Sequence, residues 1–288
     1  MEETRHYRRR GTEDLPIASL FIQAGESMRR FCHWHPEPEF ILIVRGTVQK
    51  RLGKETLLLK EGDFCIIPPN EIHGVESFSK DACFRRLAFD PMAISMDPAH
   101  FFQTHFVTPL QECRLEMPRL LQKGHPAYDN ISEKMQELEQ CKTYDPDYKC
   151  KRFGILMAIC TALLPYCQAD TAQAAVQDPG NQAVRLTMRY INSYYRQKID
   201  LQHLADRVHL HPNYLCALFK AYTGETVFQH LTRIRVESAA YILREEDVPI
   251  SRVAELSGFN TDSLFYQKFK QIMGITPTAY KKQHRIKQ

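Results

Sequence analysis

The chain has 288 residues, of which 43% are hydrophobic and 25% charged, and such a composition excludes extensive disorder. No apolar run reaches the roughly 18 residues that span a bilayer, and the N-terminus lacks the apolar core of a signal peptide, which predicts a cytoplasmic protein with no membrane partner. The net charge of +4 is uneven, because residues 182–288 carry 16 basic and 9 acidic side chains. This basic C-terminal third favours a polyanionic partner for one end of the chain.

Short β-rich segments separated by Gly and Pro fill residues 15–92. The clearest are 40–44, 56–59 and 64–67, with turns expected around Gly46 and Gly62. Many short strands at close spacing are typical of an antiparallel barrel or sandwich. We therefore predict an N-terminal β-barrel domain over residues 1–97, which includes the terminal arm.

A set of polar residues with fixed spacing lies within this barrel. In the first set, one residue separates His33 from His35, three residues separate His35 from Glu39, and six separate Glu39 from Gly46. A second set begins at Gly62 and continues through Pro68. The two sets resemble the two motifs of the cupins, except that Asn70 stands at the usual glycine position of the second motif. The resemblance implies that the histidines and the glutamate converge inside a small barrel. The candidate effector-binding residues are His33, Trp34, His35, Glu39 and His73.

Three interpretations of this set stay open. Imidazoles and a carboxylate suit Zn²⁺, Fe²⁺, Ni²⁺ or Mn²⁺, so His33, His35, Glu39 and His73 could hold a divalent metal, although a regulator requires no cofactor. The same residues could form hydrogen bonds to a small effector such as a sugar, with Trp34 available for stacking. They could also be inherited scaffold with solvated histidines.

The pattern becomes helical over residues 98–168. Apolar residues recur at steps of three and four from Ile131 to Cys141 and again from Phe153 to Leu164. These faces could pack on the barrel or on a second copy of the chain, and we predict that this helical extension forms a homodimer. Residues 169–181 lose the periodicity and are expected to form a linker.

The remainder, residues 182–288, contains an internal repeat. The segment 199–205 parallels 248–254 at an offset of 49, and after one inserted residue the offset becomes 50. Leu215 then matches Phe265, and Gly224 matches Gly274. A fixed internal period indicates two copies of one supersecondary unit.

Each copy predicts a helix-turn-helix, at about 201–222 and 250–271. A short helix with a small residue at the crossing point (Ala205 or Ala254) leads through a tight corner into a longer helix with a polar outer face. Between the copies, residues 226–243 predict a helix about 27 Å long at 1.5 Å per residue. It could hold the two outer helices about one DNA turn apart, roughly 34 Å.

These segments resemble the AraC/XylS family of transcription regulators from Val184 to Lys282. The most specific pieces are residues 201–205, 212–215, 218–220 and the run 250–277. The resemblance implies a seven-helix DNA-binding domain, an effector-sensing cupin, activation of transcription in most relatives, and contact with RNA polymerase. The predicted fold class is α+β, with an N-terminal cupin-like β-barrel, a helical extension, and a C-terminal all-α bundle with two helix-turn-helix units.

The outer helices depart from the Ser-Arg pair that the family often has in the middle of each. Cys216-Ala217 and Tyr266-Gln267 stand there instead, so Ala217 could contact a thymine methyl group and Gln267 could pair with adenine. Lys220 and Lys270 suit phosphate contacts. The candidate DNA-binding residues are His211, Asn213, Tyr214, Ala217, Lys220, Asp262, Ser263, Tyr266, Gln267 and Lys270.

The sequence thus predicts a DNA-binding regulator that responds to a small molecule and is not an enzyme, and the resemblance implies that it activates transcription. The alternative is a metal-dependent cupin enzyme tethered to DNA. A protein that coats DNA without sequence preference is disfavoured, because two rigid helix-turn-helix units suit recognition of a site better than neutralisation of bulk phosphate.

Overall fold

A computed structural model describes residues 16–24, 31–138, 140–141, 145–169 and 178–284. The described residues form two compact units that divide between Asn181 and Gln182. None of the described helices is both long enough and apolar enough to cross a lipid bilayer. The terminal arm and most of the predicted linker lie outside the described residues.

The first unit is built on two antiparallel sheets. Its main strands are β1 (Ile17–Gln23), β2 (Glu39–Arg45), β3 (Thr47–Leu52), β4 (Glu55–Lys60), β5 (Phe64–Ile67), β6 (His73–Phe78) and β7 (Cys83–Phe89). Three two-residue strands follow: β8 (Leu115–Glu116), β9 (Leu120–Leu121) and β10 (Gln168–Ala169). One sheet has the order β1-β7-β2-β5-β9 and the other β4-β3-β6, while β8 pairs separately with β10.

Strand β2 has apolar side chains on both faces because both faces are covered. Ile41 and Ile43 point between the two sheets, where they pack with residues such as Val48 and Phe84. Phe40 and its neighbours on the opposite face belong to a second core, which the helices of the extension complete. The apolar run in β2 is therefore unbroken because the strand lies between two hydrophobic cores and buries both of its faces.

The extension is only partly helical, which corrects the prediction for residues 98–168. Its α-helices are α1 (Thr108–Gln111), α2 (Tyr128–Glu137) and α3 (Tyr148–Leu163), with a π-helical turn at Gln103–Val107. Strand β9, within the extension, pairs with β5 of the barrel. Cys141, the last residue of the first predicted helical pattern, lies beyond the end of α2 but packs on the core that contains Phe40. Two-residue strands are too short to produce a periodic signal, so the sequence pattern did not predict them.

The second unit consists of helices, the first of which begins three residues before the boundary at Gln182. They are α4 (Pro179–Tyr194), α5 (Leu201–Arg207), α6 (Pro212–Thr223), α7 (Val227–Glu245), α8 (Ile250–Leu256), α9 (Asp262–Met273) and α10 (Pro277–His284). The two predicted helix-turn-helix segments are α5–α6 and α8–α9. Helix α4 begins at Pro179, so the last three residues of the predicted linker are helical, with Asp178 accepting a hydrogen bond from the main-chain N–H of Gly180. An Asp-Pro pair suits a helix start as well as a turn, which explains the difference.

Local sequence sets the ends of these helices. Thr226 and Gln229 form a capping box at the start of α7, and Thr261 accepts a hydrogen bond from the main-chain N–H of Leu264 at the start of α9. Gly224 and Gly274, the paired glycines of the repeat, end α6 and α9 in the left-handed conformation. The two copies of the sequence repeat therefore share the glycine that ends the second helix as well as the buried apolar positions.

Candidate functional site

Three histidines from different parts of the barrel chain lie together. His73 begins β6, and His33 pairs with it through two main-chain hydrogen bonds of 2.8 Å, while His35 follows two residues later. A nitrogen from each ring lies within 4.8 Å of those from the other two. His35 is 4% exposed and His73 is 1% exposed, whereas His33 is half-buried.

Main-chain carbonyls fix the orientation of all three rings. The Nδ1 atoms lie 3.3 Å from the carbonyl oxygen of Phe31 for His33, 2.8 Å from that of Glu37 for His35, and 2.9 Å from that of Glu71 for His73. A carbonyl oxygen can only accept, so each Nδ1 donates a proton to its carbonyl. The Nε2 atoms of His35 and His73 are buried and have no hydrogen-bond partner within the described part of the chain.

Glu39, the fourth residue of the predicted set, lies beside the histidines and between two cations. Its Oε2 is 3.3 Å from His35 Nε2 and 4.0 Å from His73 Nε2. Its Oε1 is 3.7 Å from Lys50 Nζ, and Oε2 is 3.8 Å from Arg86 Nε. The structure therefore brings all four predicted residues together, although Glu39 is held mainly among charged partners.

These contacts determine the ionisation of the cluster. Burial alone would raise the pKa of Glu39, but its contact with His35 and the charges of Lys50, His73 and Arg86 hold it well below the usual value. Burial, reinforced by His33, holds the pKa of His73 well below its usual value. Burial also lowers the pKa of Lys50, with Glu39 opposing the change. The cluster thus holds a carboxylate and a neutral His73 imidazole.

Sequence reasoning missed Lys50 and Arg86. Lys50 lies between Val48 and Leu52 on β3, at a position where the alternation of the strand directs the side chain inward. Arg86 lies two residues after Phe84 of the barrel core, on the equivalent face of β7. A charged residue at an inward strand position indicates a polar site in the barrel interior. The sequence contains such a residue in β3 and another in β7.

The proline-broken segment before β2 does not prevent the histidines from converging. Residues 34–38 are not a strand, as Pro36 and Pro38 suggest, yet His35 still faces Glu39. Asn70, at the usual cupin glycine position, has φ of +63° and donates its main-chain N–H to the carbonyl oxygen of His35 at 2.9 Å. Asn tolerates this left-handed conformation, so the departure from the motif keeps the local geometry. Trp34 is half-buried next to the cluster in sequence.

Gly74 is required for the pairing of His33 with His73. A Cβ atom at this position would lie 2.8 Å from the main-chain nitrogen of Cys32 and 2.9 Å from its Cα. Both are main-chain atoms, so no side-chain rotation could relieve the contact. The glycine after His73 was another unused signal in the sequence.

The two repeated helices each present a polar face to solvent. Leu215 and Phe219 on α6, like Phe265 and Phe269 on α9, are buried in the domain core. All ten candidate DNA-binding residues are exposed on the opposite sides of these helices: His211, Asn213, Tyr214, Ala217, Lys220, Asp262, Ser263, Tyr266, Gln267 and Lys270. Leu264, which sequence reasoning did not select, borders the face of α9 and is 41% exposed.

His211, one of the candidate DNA-binding residues, also caps helix α6. The Nδ1 of His211 accepts a hydrogen bond from the main-chain N–H of Asn213 at 3.3 Å and so caps α6. Only the other ring nitrogen of His211 is then available to a ligand. The other candidates on α6 and α9 keep their side chains outside the packed core.

Comparison with known proteins covers both units. Residues 17–140 match the AraC-like ligand binding domain, and residues 204–283 match a helix-turn-helix domain. The chain is 30% identical over 287 residues to the uncharacterized HTH-type transcriptional regulator YisR of Bacillus subtilis strain 168, covering 93% of this chain and 95% of the relative.

Two further relatives also match along most of their length. The HTH-type transcriptional activator RhaR of Cronobacter sakazakii is 30% identical over 257 residues, which cover 87% of this chain and 86% of that one. The uncharacterized regulator YdeC of Bacillus subtilis strain 168 is 24% identical over 282 residues, with 94% and 93% covered. These matches confirm the predicted resemblance and the α+β fold, and the chain belongs to the AraC family of DNA-binding transcription regulators, with an AraC-like ligand-binding domain ahead of its helix-turn-helix units.

Proposed function

We propose that this regulator is a sequence-specific activator whose helices α6 and α9 enter the major groove of DNA. The observation that carries the proposal is the matched pair of exposed faces on α6 and α9, each backed by two buried apolar residues of the repeat. A helix whose inner side is packed and whose outer side is polar is the usual groove-reading element of this motif. The assignment as an activator follows relatives such as RhaR, which is named as one.

The two helices would read DNA by different chemistry. On α6, Ala217 offers only an apolar contact, which suits a thymine methyl group, while Asn213 and Lys220 can reach base edges or phosphate. On α9, Gln267 can pair with adenine through two hydrogen bonds, and the exposed Leu264 beside it can contact a neighbouring methyl group. Specificity would therefore come mainly from α9.

The effector would bind at the polar end of the barrel. The residues His35, Glu39, Lys50 and His73 bring together buried donors and acceptors in an otherwise apolar interior, which is the composition of a small-molecule site. A polyhydroxylated molecule such as a sugar suits such a mixture, with Trp34 available for stacking. Binding would alter transcription by favouring one of two states of the regulator.

A second copy of the chain would pack on helix α3. From Phe153 to Leu163 this helix has no charged residue, and Phe153, Gly154 and Thr161 are exposed on the side away from the sheet. An uncharged outer face on a helix favours burial against a partner. Such a dimer would act on DNA in the cytoplasm and contact RNA polymerase, as the family resemblance implies.

No catalytic role is proposed for the barrel. The alternative function, a metal-dependent enzyme tethered to DNA, has only the histidine cluster in its favour, and a binding site uses the same residues equally well. Turnover of a bound small molecule by the purified protein would establish that alternative.

The proposal is tested by selecting binding sites for the full-length protein from random duplex DNA. The wild type should select one preferred sequence. Gln267→Ala should change the preference at one base pair, by about 1–3 kcal/mol of discrimination. Lys270→Ala should weaken binding to all sequences alike and reduce the salt dependence by about one phosphate contact.

Gln202→Ala is the matched control, since this exposed glutamine lies on α5, outside the candidate contact set. It should leave the selected sequence unchanged. A wild type without any preferred sequence, or an unchanged preference in Gln267→Ala, would contradict the proposed readout. A reporter placed behind the selected site should rise when the protein is present, and a fall would contradict the assignment as an activator.

A further inference from the structure

A cleft of about 230 Å³ lies in the helical unit between α4 and α5, outside both sites described above. Arg189, Tyr190 and Tyr194 line it from α4, and Leu204 and Arg207 line it from α5. On each helix these residues are spaced so that they share one face. The ten DNA-contact candidates on α6 and α9 are not among the lining residues.

Two arginines give the cleft a positive charge that its own side chains do not balance. Arg189 and Arg207 are both exposed, and neither forms an ion pair with another of the residues that the structure describes. None of the described residues that line the cleft is acidic. Asp206, next to Arg207 in sequence, accepts a hydrogen bond from Gln202 at 2.8 Å instead. The cleft therefore favours an anion, and its two cations favour a doubly charged one.

Aromatic rings beside the arginines hold Arg207 in place. Its guanidinium lies 4.8 Å from the ring centre of Tyr190, whose ring is 4.6 Å from that of Tyr194 and 5.4 Å from that of His203. An arginine stacked on a ring keeps its N–H edges available to an anion, and it has less freedom to lose on binding. Tyr194 is 43% exposed, so its ring can also stack on a ligand.

The apolar floor of the cleft distinguishes it from a simple contact surface for phosphate. Leu204 is 1% exposed, and Leu186 and Val208, which also line the cleft, are half-buried. An apolar cavity of about 150 Å³ binds benzene, so a cleft of about 230 Å³ can hold one aromatic ring together with a charged group. A phosphate of the DNA backbone would need only the cations and would leave this floor unused.

We propose that this cleft binds a small molecule with one aromatic ring and a doubly charged anionic group, for example a phosphate monoester. The ring lies on the apolar floor beside Tyr190 and Tyr194, and Arg189 and Arg207 bind the anionic group. This site is separate from the effector site proposed in the barrel and does not depend on it. Because α5 is the first helix of a helix-turn-helix unit, a bound ligand joins that unit to α4.

The test titrates the full-length protein with phenyl phosphate by isothermal titration calorimetry, at about pH 8, where the phosphate group carries two charges. The expected result is one saturable site per chain with a Kd of about 0.1–1 mM, a modest affinity that suits a small ligand in an open cleft. Phenol lacks the charge and inorganic phosphate lacks the ring. Each should bind at least about 10-fold more weakly than phenyl phosphate.

Three variants locate the site. Arg189→Gln and Arg207→Gln should each weaken binding of phenyl phosphate by about 10–100-fold, which is the range for loss of a hydrogen bond to a charged group. Tyr190→Leu keeps an apolar side chain but removes the ring, and it should weaken binding by about 3–10-fold.

Arg244→Gln is the matched control, because Arg244 is also exposed and lies 5.7 Å from the ring centre of Tyr241, outside the cleft. Phenyl phosphate should bind this control as it binds the wild type. All four variants should keep the far-ultraviolet circular dichroism of the wild type, since each changes a side chain that is not buried.

Several outcomes would overturn the proposal. Absence of saturable binding would do so, and equal binding by the wild type and both arginine variants of the cleft would place the ligand elsewhere. Inorganic phosphate that binds as tightly as phenyl phosphate would assign the cleft to the DNA backbone. So would ligand-free Arg207→Gln protein that binds duplex DNA more weakly than the Arg244→Gln control does.

Discussion

At the corner of each helix-turn-helix one residue adopts a left-handed backbone. His209 has φ of +55° in the first unit, and Gly258, its partner at the repeat offset of 49, has φ of +82° in the second. A Cβ atom on Gly258 would lie 2.7 Å from Arg196 Cα and 2.9 Å from the carbonyl oxygen of Tyr195. The first corner therefore tolerates a side chain, whereas the second needs glycine because it lies against the end of α4.

Gly258→Ala should destabilise the helical unit more than Gly274→Ala does. Both glycines have positive φ, but a Cβ on Gly274 would meet nothing within 4 Å, so Gly274→Ala costs only the left-handed penalty of about 1–2 kcal/mol. Gly258→Ala adds steric overlap with main-chain atoms, worth about 1–3 kcal/mol more. Urea unfolding followed by circular dichroism at 222 nm measures both, and equal losses would show that the contact with α4 relaxes freely.

The residues of the two candidate sites were predictable to different extents. The cupin-like spacing identified the histidines and Glu39. The helical spacing of the apolar residues in α6 and α9 predicted polar outer faces, and all ten DNA-contact candidates are exposed there. Lys50 and Arg86 were missed because neither belongs to the motif and only the fold brings them to Glu39. Arg86 arrives through the pairing of β7 with β2, and Lys50 comes from the other sheet. The assignment of a role to each of these residues stays a prediction.

At the scale of elements, helix α7 is tied to the preceding loop by a buried polar cluster. The Nδ1 of His230 lies 2.7 Å from Glu225 Oε1 and 2.7 Å from Arg233 Nη2, and Arg233 Nη1 also lies 3.1 Å from Glu237 Oε1. The His230 ring packs edge-on against Phe219 of α6 at 5.4 Å. This cluster joins the first helix-turn-helix to the helix that connects it with the second.

The helical unit should therefore lose stability as the pH falls below about 6.5, the ordinary value for histidine. Burial, reinforced by Arg233, lowers the pKa of His230, so the unfolded chain takes up a proton that the folded chain resists. The pKa of Glu225, which burial would raise, is lowered by hydrogen bonds from His230 and Arg233, and its contribution is lost below about 4.5 in the same direction.

Hydrogen exchange of the α7 amides in the full-length protein, corrected for intrinsic rates, measures this loss between pH 7 and pH 5. Each linked proton contributes at most about 1.4 kcal/mol per pH unit. His230→Gln should flatten the dependence, whereas His203→Gln, at an exposed position on α5, should leave it unchanged. Protection that does not change with pH in the wild type would contradict the role given to His230.

Elements of ordinary length were predictable, and very short ones were not. The strands around 40–44, 56–59 and 64–67 and the helix after Thr226 were found with boundaries within two residues. Strands β8, β9 and β10 have two residues each, and tertiary pairing rather than local pattern defines them. The same reason explains why residues 98–168 looked wholly helical.

At the scale of the molecule, the proposed dimer depends on the uncharged face of α3. Phe153→Glu should convert the dimer into a monomer, because a charge in an apolar interface is costly to bury. Phe153 is 40% exposed, and Phe101→Glu, at a residue that is 61% exposed elsewhere in the same unit, is the matched control. Light scattering measures the mass of each variant, and a monomeric wild type or a dimeric Phe153→Glu would exclude this interface.

The central position of β2 also bears on how a bound ligand could be sensed. Glu39, the first residue of the strand, contacts the histidine cluster, and the adjacent Phe40 packs into the core shared with α2 and α3. Consecutive side chains of one strand thus contact the proposed effector site and the helices behind the sheet. Since a close-packed interior transmits strain, we expect a small displacement of the carboxylate to reach α2 and α3 through the sheet.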